Sequence, residues 1–505
     1  MNYLFIIISA LLLNTAKYFP NLYLLTWLGF IPLLFAFDNE RSKLFFKGWL
    51  FGFVYLTAAA NFLINPLRLY TGLNIIIISL LLLILFAVLG LIFGLFFKAY
   101  FYIFSGEINP FYFALGWLVF AFLRYRLLNF FPIGYLVTTQ AEFSTFIQLA
   151  DLGGIWLLTF VLVFLSAFLY KLIFKGGLKE LAFLFLVVLL IFGYGQFRLR
   201  QFDNFSEEIQ LTTVITNLTQ SEKWQAENST AETDFLLEAA DYSAQSRLVI
   251  TPESSLNFDF AQDNRGRELL NAVEEEFETP VQLGSLAGHS DYEKRLNSSF
   301  LISAEGEIVD RYNKNRLVYF GEKFPMQNIL NSITPYQFSS LGAGDEIRIF
   351  SEAELSWQTL ICSEVLYTDL LYSDMDRVDF LVNQSNEAWF DNSTVLKNMM
   401  WSSAVLRAVE SRRPLVKAGN LAYSGKVEAS GLYQKTELNS NYHNLNITLS
   451  EQNSFYSSYY ILFEILLYLL TGLFIILLLL KRFFGIDPFQ KRKIIFKKNR
   501  DFGSL

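Results

Sequence analysis

The sequence predicts a polytopic α-helical membrane domain of about eight transmembrane helices joined to a layered α/β domain outside the membrane. Two features of composition carry this reading. Hydrophobic residues make up 53% of the 505, with 53 Phe, and charged residues only 17%, well below the roughly 25% of an average soluble chain. The apolar residues are also unevenly placed: residues 1–200 and 459–481 carry long uncharged runs, whereas residues 201–455 read as an ordinary water-soluble chain. Two solvents are implied. They divide the chain into a membrane domain at 1–200 with about seven helices, an outer domain at 201–455, a last membrane helix at 456–482 and a basic tail at 483–505.

A helix crosses roughly 30 Å of hydrocarbon with about 20 apolar residues. Runs of that kind lie at residues 3–18, 20–37, 45–65, 73–97, 110–127, 155–174, 180–197 and 459–480. The first is short. It still reads as a membrane helix, because "MNYLFIII" lacks a basic leader and no small-residue cleavage site precedes the next span.

Lys and Arg beside the membrane mark the cytoplasmic side. The tail holds Lys481, Arg482, Lys491, Arg492, Lys493, Lys497, Lys498 and Arg500, which puts the C-terminus in the cytoplasm. An even number of spans puts the N-terminus there too. Arg41, Lys43 and Lys47, then Lys171, Lys175 and Lys179, fall on the same inner side. Residues 198–458 are therefore expected outside, which in a bacterium is the periplasm.

The outer segment alternates strands with helices. "IQLTTVITNL", "SRLVITPES", "TPVQLGSLAG", "NSSFLISAEGEIVDRY", "SWQTLICSE", "VDFLVNQSN" and "PLVKAGNLAYSG" are rich in β-branched and aliphatic residues and punctuated by Gly, Asn and Ser. "AETDFLLEAADYSA", "GRELLNAVEEEF" and "TVLKNMMWSSAVLRAVESRR" space their apolar residues as helices do.

Composition also excludes. A net charge of −7 gives no basic face for nucleic acid. One Cys and two His rule out an internal disulfide and leave too few ligands for a Cys/His zinc site. His289 in "LAGHSDYEK" and His443 in "NSNYHNLN" stand in polar, loop-like settings, so a base for nucleophilic chemistry is expected to be a carboxylate or Lys. No metal and no cofactor is called for.

Three polar residues stand at ends of predicted strands: Glu253 in "LVITPES", Lys314 after "IVDRYN", and Cys362 in "WQTLICS". Strand ends of an α/β layer are where side chains converge in a crevice. Taken singly, each has an ordinary reading: two surface charges and a small core residue. Taken together they supply covalent acyl transfer, with a thiol nucleophile, a carboxylate to take its proton and a cation beside the developing oxyanion.

Glu, Lys and Cys in this order and context resemble the nitrilase superfamily. "RYNKNRLVYFGEKFP" around Lys314, Glu364 two residues after Cys362, and the membrane helices on either side of the domain narrow the resemblance to the apolipoprotein N-acyltransferase family. It covers nearly the whole chain. It implies an α-β-β-α sandwich, with Glu253, Lys314 and Cys362 as the catalytic set. By the same resemblance Glu322 and Glu364 are supporting glutamates that orient Lys314 and its loops. Trp224, ending "NLTQSEKW", and Trp389, in "SNEAWF", match family positions and are open to two readings, packing or lipid contact. "LRAVESRRP" resembles the helix end R-A-x-E-x-x-R-P.

The chain departs from the family pattern at Tyr319, Ser363, Glu387 and Asp391, none of them a reacting group. The implied reaction takes an acyl chain from a membrane phospholipid onto Cys362 and passes it to the N-terminal amine of a diacylglyceryl-modified apolipoprotein. The bilayer is thus a partner, at a bacterial inner membrane, and the protein is expected to be a monomer. A cation beside the thiol and a desolvated glutamate are expected to tune both groups toward reaction. The crevice should open at the bilayer surface, with "LVYFGEKFPMQNIL" either dipping toward lipid or forming a core loop. Two alternatives stand beside this: a membrane-tethered nitrilase-type amidohydrolase, and a transporter or scaffold with an outer binding domain. Ionisable residues inside spans would mark a transport path, yet the clearest spans, residues 73–97 and 459–480, carry almost none apart from Glu464, which this reading leaves unexplained.

Overall fold

The computed structural model describes residues 1–104, 108–128, 132–204, 207–219, 222, 231–256, 258–289, 292–325, 327–333, 339–372, 374–390, 393–436 and 440–485. Long apolar runs form helices here because each helix satisfies its own backbone hydrogen bonds, as a solvent without donors or acceptors demands. Six helical segments among the described residues are long and apolar enough to cross a membrane: Pro20–Asn39, Leu44–Leu69, Ile75–Ile103, Ala150–Lys175, Leu178–Arg200 and Phe455–Phe484.

The expected count of about eight is thus not matched by eight such helices. The two remaining runs are helical, at Asn2–Tyr18 and Pro110–Leu127. The first has 17 residues, and the second carries Arg124 and Arg126 in its last turn. Both turn a face to the protein interior, burying Ile6, Ala10 and Leu13 from the first and Phe113, Trp117 and Phe122 from the second. Leu178–Arg200 is the opposite case, with Leu186, Leu189 and Leu190 all exposed. Exposed Ile76, Leu80 and Ile84 in Ile75–Ile103 belong to the same apolar outer surface. A belt of that extent has no counterpart on soluble chains. Helices Leu44–Ala60 and Ile75–Ile103 approach closely: a Cβ on Gly94 would meet the carbonyl oxygen of Phe45 at 2.8 Å, the small-residue packing that membrane helices use.

Two six-stranded sheets make the soluble domain. The first runs in the order β12-β1-β2-β3-β4-β5, from Tyr442–Thr448 (β12), Glu208–Val214 (β1), Val249–Ile250 (β2), Val281–His289 (β3), Tyr292–Ile302 (β4) and Ile308–Asn313 (β5). The second runs β11-β10-β9-β8-β7-β6, from Tyr433–Lys435 (β11), Gly425–Val427 (β10), Leu415–Asn420 (β9), Phe380–Asn386 (β8), Leu355–Ile361 (β7) and Ile349–Glu352 (β6). Their inner faces meet through Trp357, whose Nε1 donates to Gln282 Oε1 at 2.8 Å, and through Gln282 Nε2, 2.8 Å from Thr359 Oγ1. Helices Ala231–Glu238 and Asn264–Glu276 cover the first sheet, burying Leu236, Leu269 and Val273 against Val249, Val281 and Phe300.

Helix Thr394–Ser411 covers the second sheet, and every residue from Val395 to Ser411 is buried. One face rests on the sheet. The other meets the membrane helices: Asn398 Nδ2 donates to the Lys17 carbonyl at 2.9 Å, and Glu410 Oε1 accepts from the Ile155 N–H at 2.7 Å. The α-β-β-α layering is therefore seated directly on the helical bundle.

Glu464 has a place in that seam. It pairs with Arg126, whose other arm lies 3.3 Å from Asp369 Oδ2, and Asp369 also holds Arg316 at 3.0 Å and the Tyr125 hydroxyl at 2.6 Å. The last helix, helix Pro110–Leu127 and the soluble domain are tied by one charge network in which Glu464 takes part.

Candidate active site

Parallel strands deliver the candidate catalytic residues to one edge. In the second sheet β7, β8 and β9 run parallel, so Cys362 after β7 and Glu387 after β8 leave the sheet at the same end. In the first sheet β2 is parallel to β3, and β3, β4 and β5 alternate direction. Glu253 after β2 and Lys314 after β5 therefore also emerge together, opposite Cys362.

Cys362 opens the short 3-10 turn Cys362–Leu366 with φ +55. A non-glycine residue in that left-handed region is strained and persists only where its surroundings dictate it. Glu364 supplies much of that constraint. Its Oε2 accepts from the Ile361 N–H at 2.8 Å and the Tyr312 hydroxyl at 2.9 Å. Its Oε1 accepts from the Asn315 and Arg316 N–H groups at 2.7 and 3.0 Å. One carboxylate thus joins the cysteine turn to the loop carrying Lys314. Burial raises its pKa, and the backbone donors with the Lys314 charge offset part of that rise.

Lys314 Nζ lies 3.0 Å from Glu253 Oε1 and 2.9 Å from Glu322 Oε1. Asn297 Nδ2 donates to the same two oxygens at 2.7 and 2.8 Å. The Asn386 N–H donates to Glu253 Oε2 at 2.9 Å, and the Val318 N–H to Glu322 Oε2 at 2.8 Å. Gly284 permits the close approach: a Cβ there would sit 2.2 Å from the Pro252 carbonyl oxygen and 3.0 Å from Glu253 Cα. β3 and the Glu253 loop could not otherwise touch.

Electrostatics depart from the expected tuning. Burial alone would raise the Glu253 carboxyl, but Lys314 and hydrogen bonds from Cys362, Lys314 and Asn297 outweigh it and hold it below its ordinary value. Burial pushes the Cys362 thiol up, the Glu253 charge adds to that, and Lys314 offsets only part. Lys314, despite burial, is raised well above its usual value by Glu253 and Glu322. At rest the site therefore holds a thiol, a carboxylate and an ammonium. The expectation that the cation would favour the thiolate and desolvation would make the glutamate a better base is thus reversed in direction for both groups, because Glu253 and Glu322 share the lysine charge.

A cavity of about 510 Å³ begins at this edge, within the roughly 300–1,000 Å³ of small-ligand sites. Glu253, Lys314 and Cys362 line one part of it, with Asn297 and Glu322. Leu67, Ile78, Leu82, Leu85, Met399 and Met400 line the rest. It therefore runs from the reacting groups into helices Ile64–Thr71 and Ile75–Ile103 of the membrane half. Phe320, in "LVYFGEKFPMQNIL", lines it as well while 47% exposed.

Comparison with known proteins matches both halves. Residues 9–168 match the N-terminal domain of apolipoprotein N-acyltransferases, and residues 214–443 the carbon-nitrogen hydrolase domain. The apolipoprotein N-acyltransferase of Geobacter metallireducens is 27% identical over 487 residues, covering 91% of each chain. That of Pasteurella multocida is 24% identical, covering 80% of this chain and 81% of its own.

The chain belongs to the apolipoprotein N-acyltransferase family. Of the positions expected to depart from the family pattern, Tyr319, Ser363 and Glu387 all line the cavity. Asp391 and Trp224 lie outside the described residues. Trp389 lines the cavity too. His443 stands in β12, its Nε2 3.0 Å from the Ser440 carbonyl oxygen, and takes no part in the cluster. His289 ends β3.

Sequence reasoning missed Asn297, which bridges Glu253 and Glu322, and the pair Glu387–Lys417, 2.9 Å apart. Polar residues inside strands that are otherwise apolar, as in "LNSSFLI" and "LVNQSN", were the available signal.

Proposed function

We propose that the protein is a phospholipid:apolipoprotein N-acyltransferase working through a thioester on Cys362. The observation that carries the reading is the cavity that joins the Glu253–Lys314–Cys362 cluster to apolar walls of the membrane helices. A hydrolase of small soluble amides needs no such lining, whereas a lipid acyl chain finds its solvent there.

Because the sulfur holds its proton at rest, Glu253 takes that proton as Cys362 attacks the ester carbonyl. Lys314 faces the oxygen on which charge develops and stabilises the tetrahedral intermediate. Collapse expels a lysophospholipid and leaves the acyl thioester. The amine of a diacylglyceryl-cysteine N-terminus then attacks, the C–S bond breaks, an amide forms and the thiol returns. Glu322 and Glu364 hold Lys314 and the cysteine turn in register. Trp389 contacts the acyl chain or its headgroup end.

The outer domain faces the periplasm, with both termini in the cytoplasm, and the protein works as a monomer. The basic last turn of Phe455–Phe484, Lys481 and Arg482, supports that orientation.

The test supplies purified protein with phospholipid and a diacylglyceryl-cysteine peptide. Peptide acylated on its α-amine is the expected product. Release of fatty acid alone, with the peptide unchanged, would make the protein a hydrolase.

A further inference from the structure

Two buried acid–cation pairs stand near Cys362, and the mechanism above uses one. The second is Glu387 with Lys417 of β9. Lys417 Nζ lies 2.9 Å from Glu387 Oε1, with the side chains 0% and 2% exposed. Ser385 Oγ is 3.2 Å from that same Oε1 and 3.9 Å from Cys362 Sγ. Lys417 Nζ also donates to Asn383 Oδ1 at 3.2 Å, and Asn383 Nδ2 donates to the Cys362 carbonyl at 3.2 Å. The pair is thus wired to the cysteine through Ser385 and Asn383.

Glu387 Oε2 accepts no hydrogen bond among the described residues, although Glu387 lines the cavity that holds Cys362. A buried carboxylate oxygen without a donor is expensive, so one from outside the chain, a water or a ligand group, is called for at Oε2. An α-ammonium is small and is a strong, charge-assisted donor to a carboxylate oxygen.

We infer that Glu387 is the receiving site for the acceptor's α-ammonium, hydrogen-bonding it through Oε2 and taking the proton it must lose before it attacks the thioester. The inference rests on the acyl-transfer reading and divides its two half-reactions between two carboxylates. Glu253 serves the thiol and Glu387 the amine. An N-terminal amine is mostly protonated at pH 7, with a pKa of about 7.7–8.0, and has no lone pair to attack with in that form. One proton passes from nitrogen to Glu387 and then to solvent. The N–C bond forms, the C–S bond breaks, and the second nitrogen proton restores the thiol. The charged and titratable groups facing Glu387 are Lys417 from β9, Lys397 from helix Thr394–Ser411 and Tyr423 from the turn after β9.

Full-length wild type, Glu387→Gln and Glu387→Asp are loaded with acyl groups from phospholipid, then given a diacylglyceryl-cysteine peptide across a pH series. Glu387→Gln should still accumulate the acyl adduct, which shows it folded, but discharge it to peptide at pH 7 roughly 100-fold or more slowly. That deficit should shrink as pH rises through the amine's pKa, because solvent then supplies the free amine. Glu387→Asp should recover most of the rate, and hydroxylamine, which needs no deprotonation at pH 7, should discharge all three adducts alike. Discharge of Glu387→Gln at the wild-type rate overturns the inference. So does a deficit that is the same at every pH, or a variant that is folded by its melting curve yet forms no adduct. A wild type that never forms an adduct defeats the acyl-transfer reading itself, before Glu387 is tested.

Discussion

Lys314 Nζ stands 3.0 Å from Glu253 Oε1 with both side chains withdrawn from solvent, 1% and 7% exposed. Since Glu322 shares the same ammonium, removing that charge leaves the buried Glu253 carboxylate beside the partly buried one of Glu322 with no cation between them. Lys314→Met is expected to cost about 3–5 kcal/mol, the range for breaking a buried pair from one side. It should also abolish acylation. Thermal melting of the purified variant beside wild type checks the first part, and adduct formation the second.

The direction of the Glu253 shift fixes an acid limb. A carboxyl held below its ordinary value stabilises the fold above its unfolded pKa, about 4.3, and that contribution is lost as pH falls through the lower folded pKa. The base persists over the same range. Acylation rate measured downward from pH 7 should therefore show no loss attributable to Glu253 until below about pH 4.3. A limb near pH 6 would mean a glutamate raised by an apolar pocket, contrary to the charges around it.

Gly284 carries a steric prediction. A methyl group there would meet the Pro252 carbonyl oxygen at 2.2 Å, and backbone on both sides must yield. Gly284→Ala should displace Glu253 and slow acylation by roughly 100-fold, the scale for misplacing a catalytic group by about 1 Å. Overall folding should survive, as far-ultraviolet circular dichroism can establish.

The cavity predicts chain-length selectivity. Leu82 is 5% exposed and lines its membrane half, away from the reacting groups. Leu82→Trp fills space that a long chain needs, and overpacking of this kind costs about 1–3 kcal/mol. Acylation by long-chain phospholipids should fall by roughly 5- to 150-fold, with short-chain donors spared. Competition between donors of two lengths reads the ratio directly.

Much of this was legible in the sequence, for identifiable reasons. Cys362, Glu253 and Lys314 were legible only as a set, since each alone reads as a surface charge or a small core residue and it is their shared order and strand-end setting that joins them. The membrane helices that face lipid on one side were plain from their long uncharged runs. Residues 110–127 read as a span as well, although Pro110–Leu127 packs a face against protein and carries Arg124 and Arg126 in its last turn. Strands β6, β10, β11 and β12 were missed because they are edge or near-edge strands, mostly short and partly polar, whose pairing is decided by the sheet they join. Glu464 stayed unexplained in the sequence because its partner, Arg126, lies 338 positions away. The resting charges could not be read either. Order in the sequence says that a lysine is near, and only geometry says that two glutamates share it.

The central claim is a covalent acyl group on Cys362, and intact mass reports it most directly. Wild type incubated with phospholipid should gain the mass of one acyl chain, lose it to hydroxylamine, and gain nothing when Cys362 is replaced by Ala. Lipid turnover by wild type with no adduct at any time, or an adduct that persists in Cys362→Ala, would contradict the account.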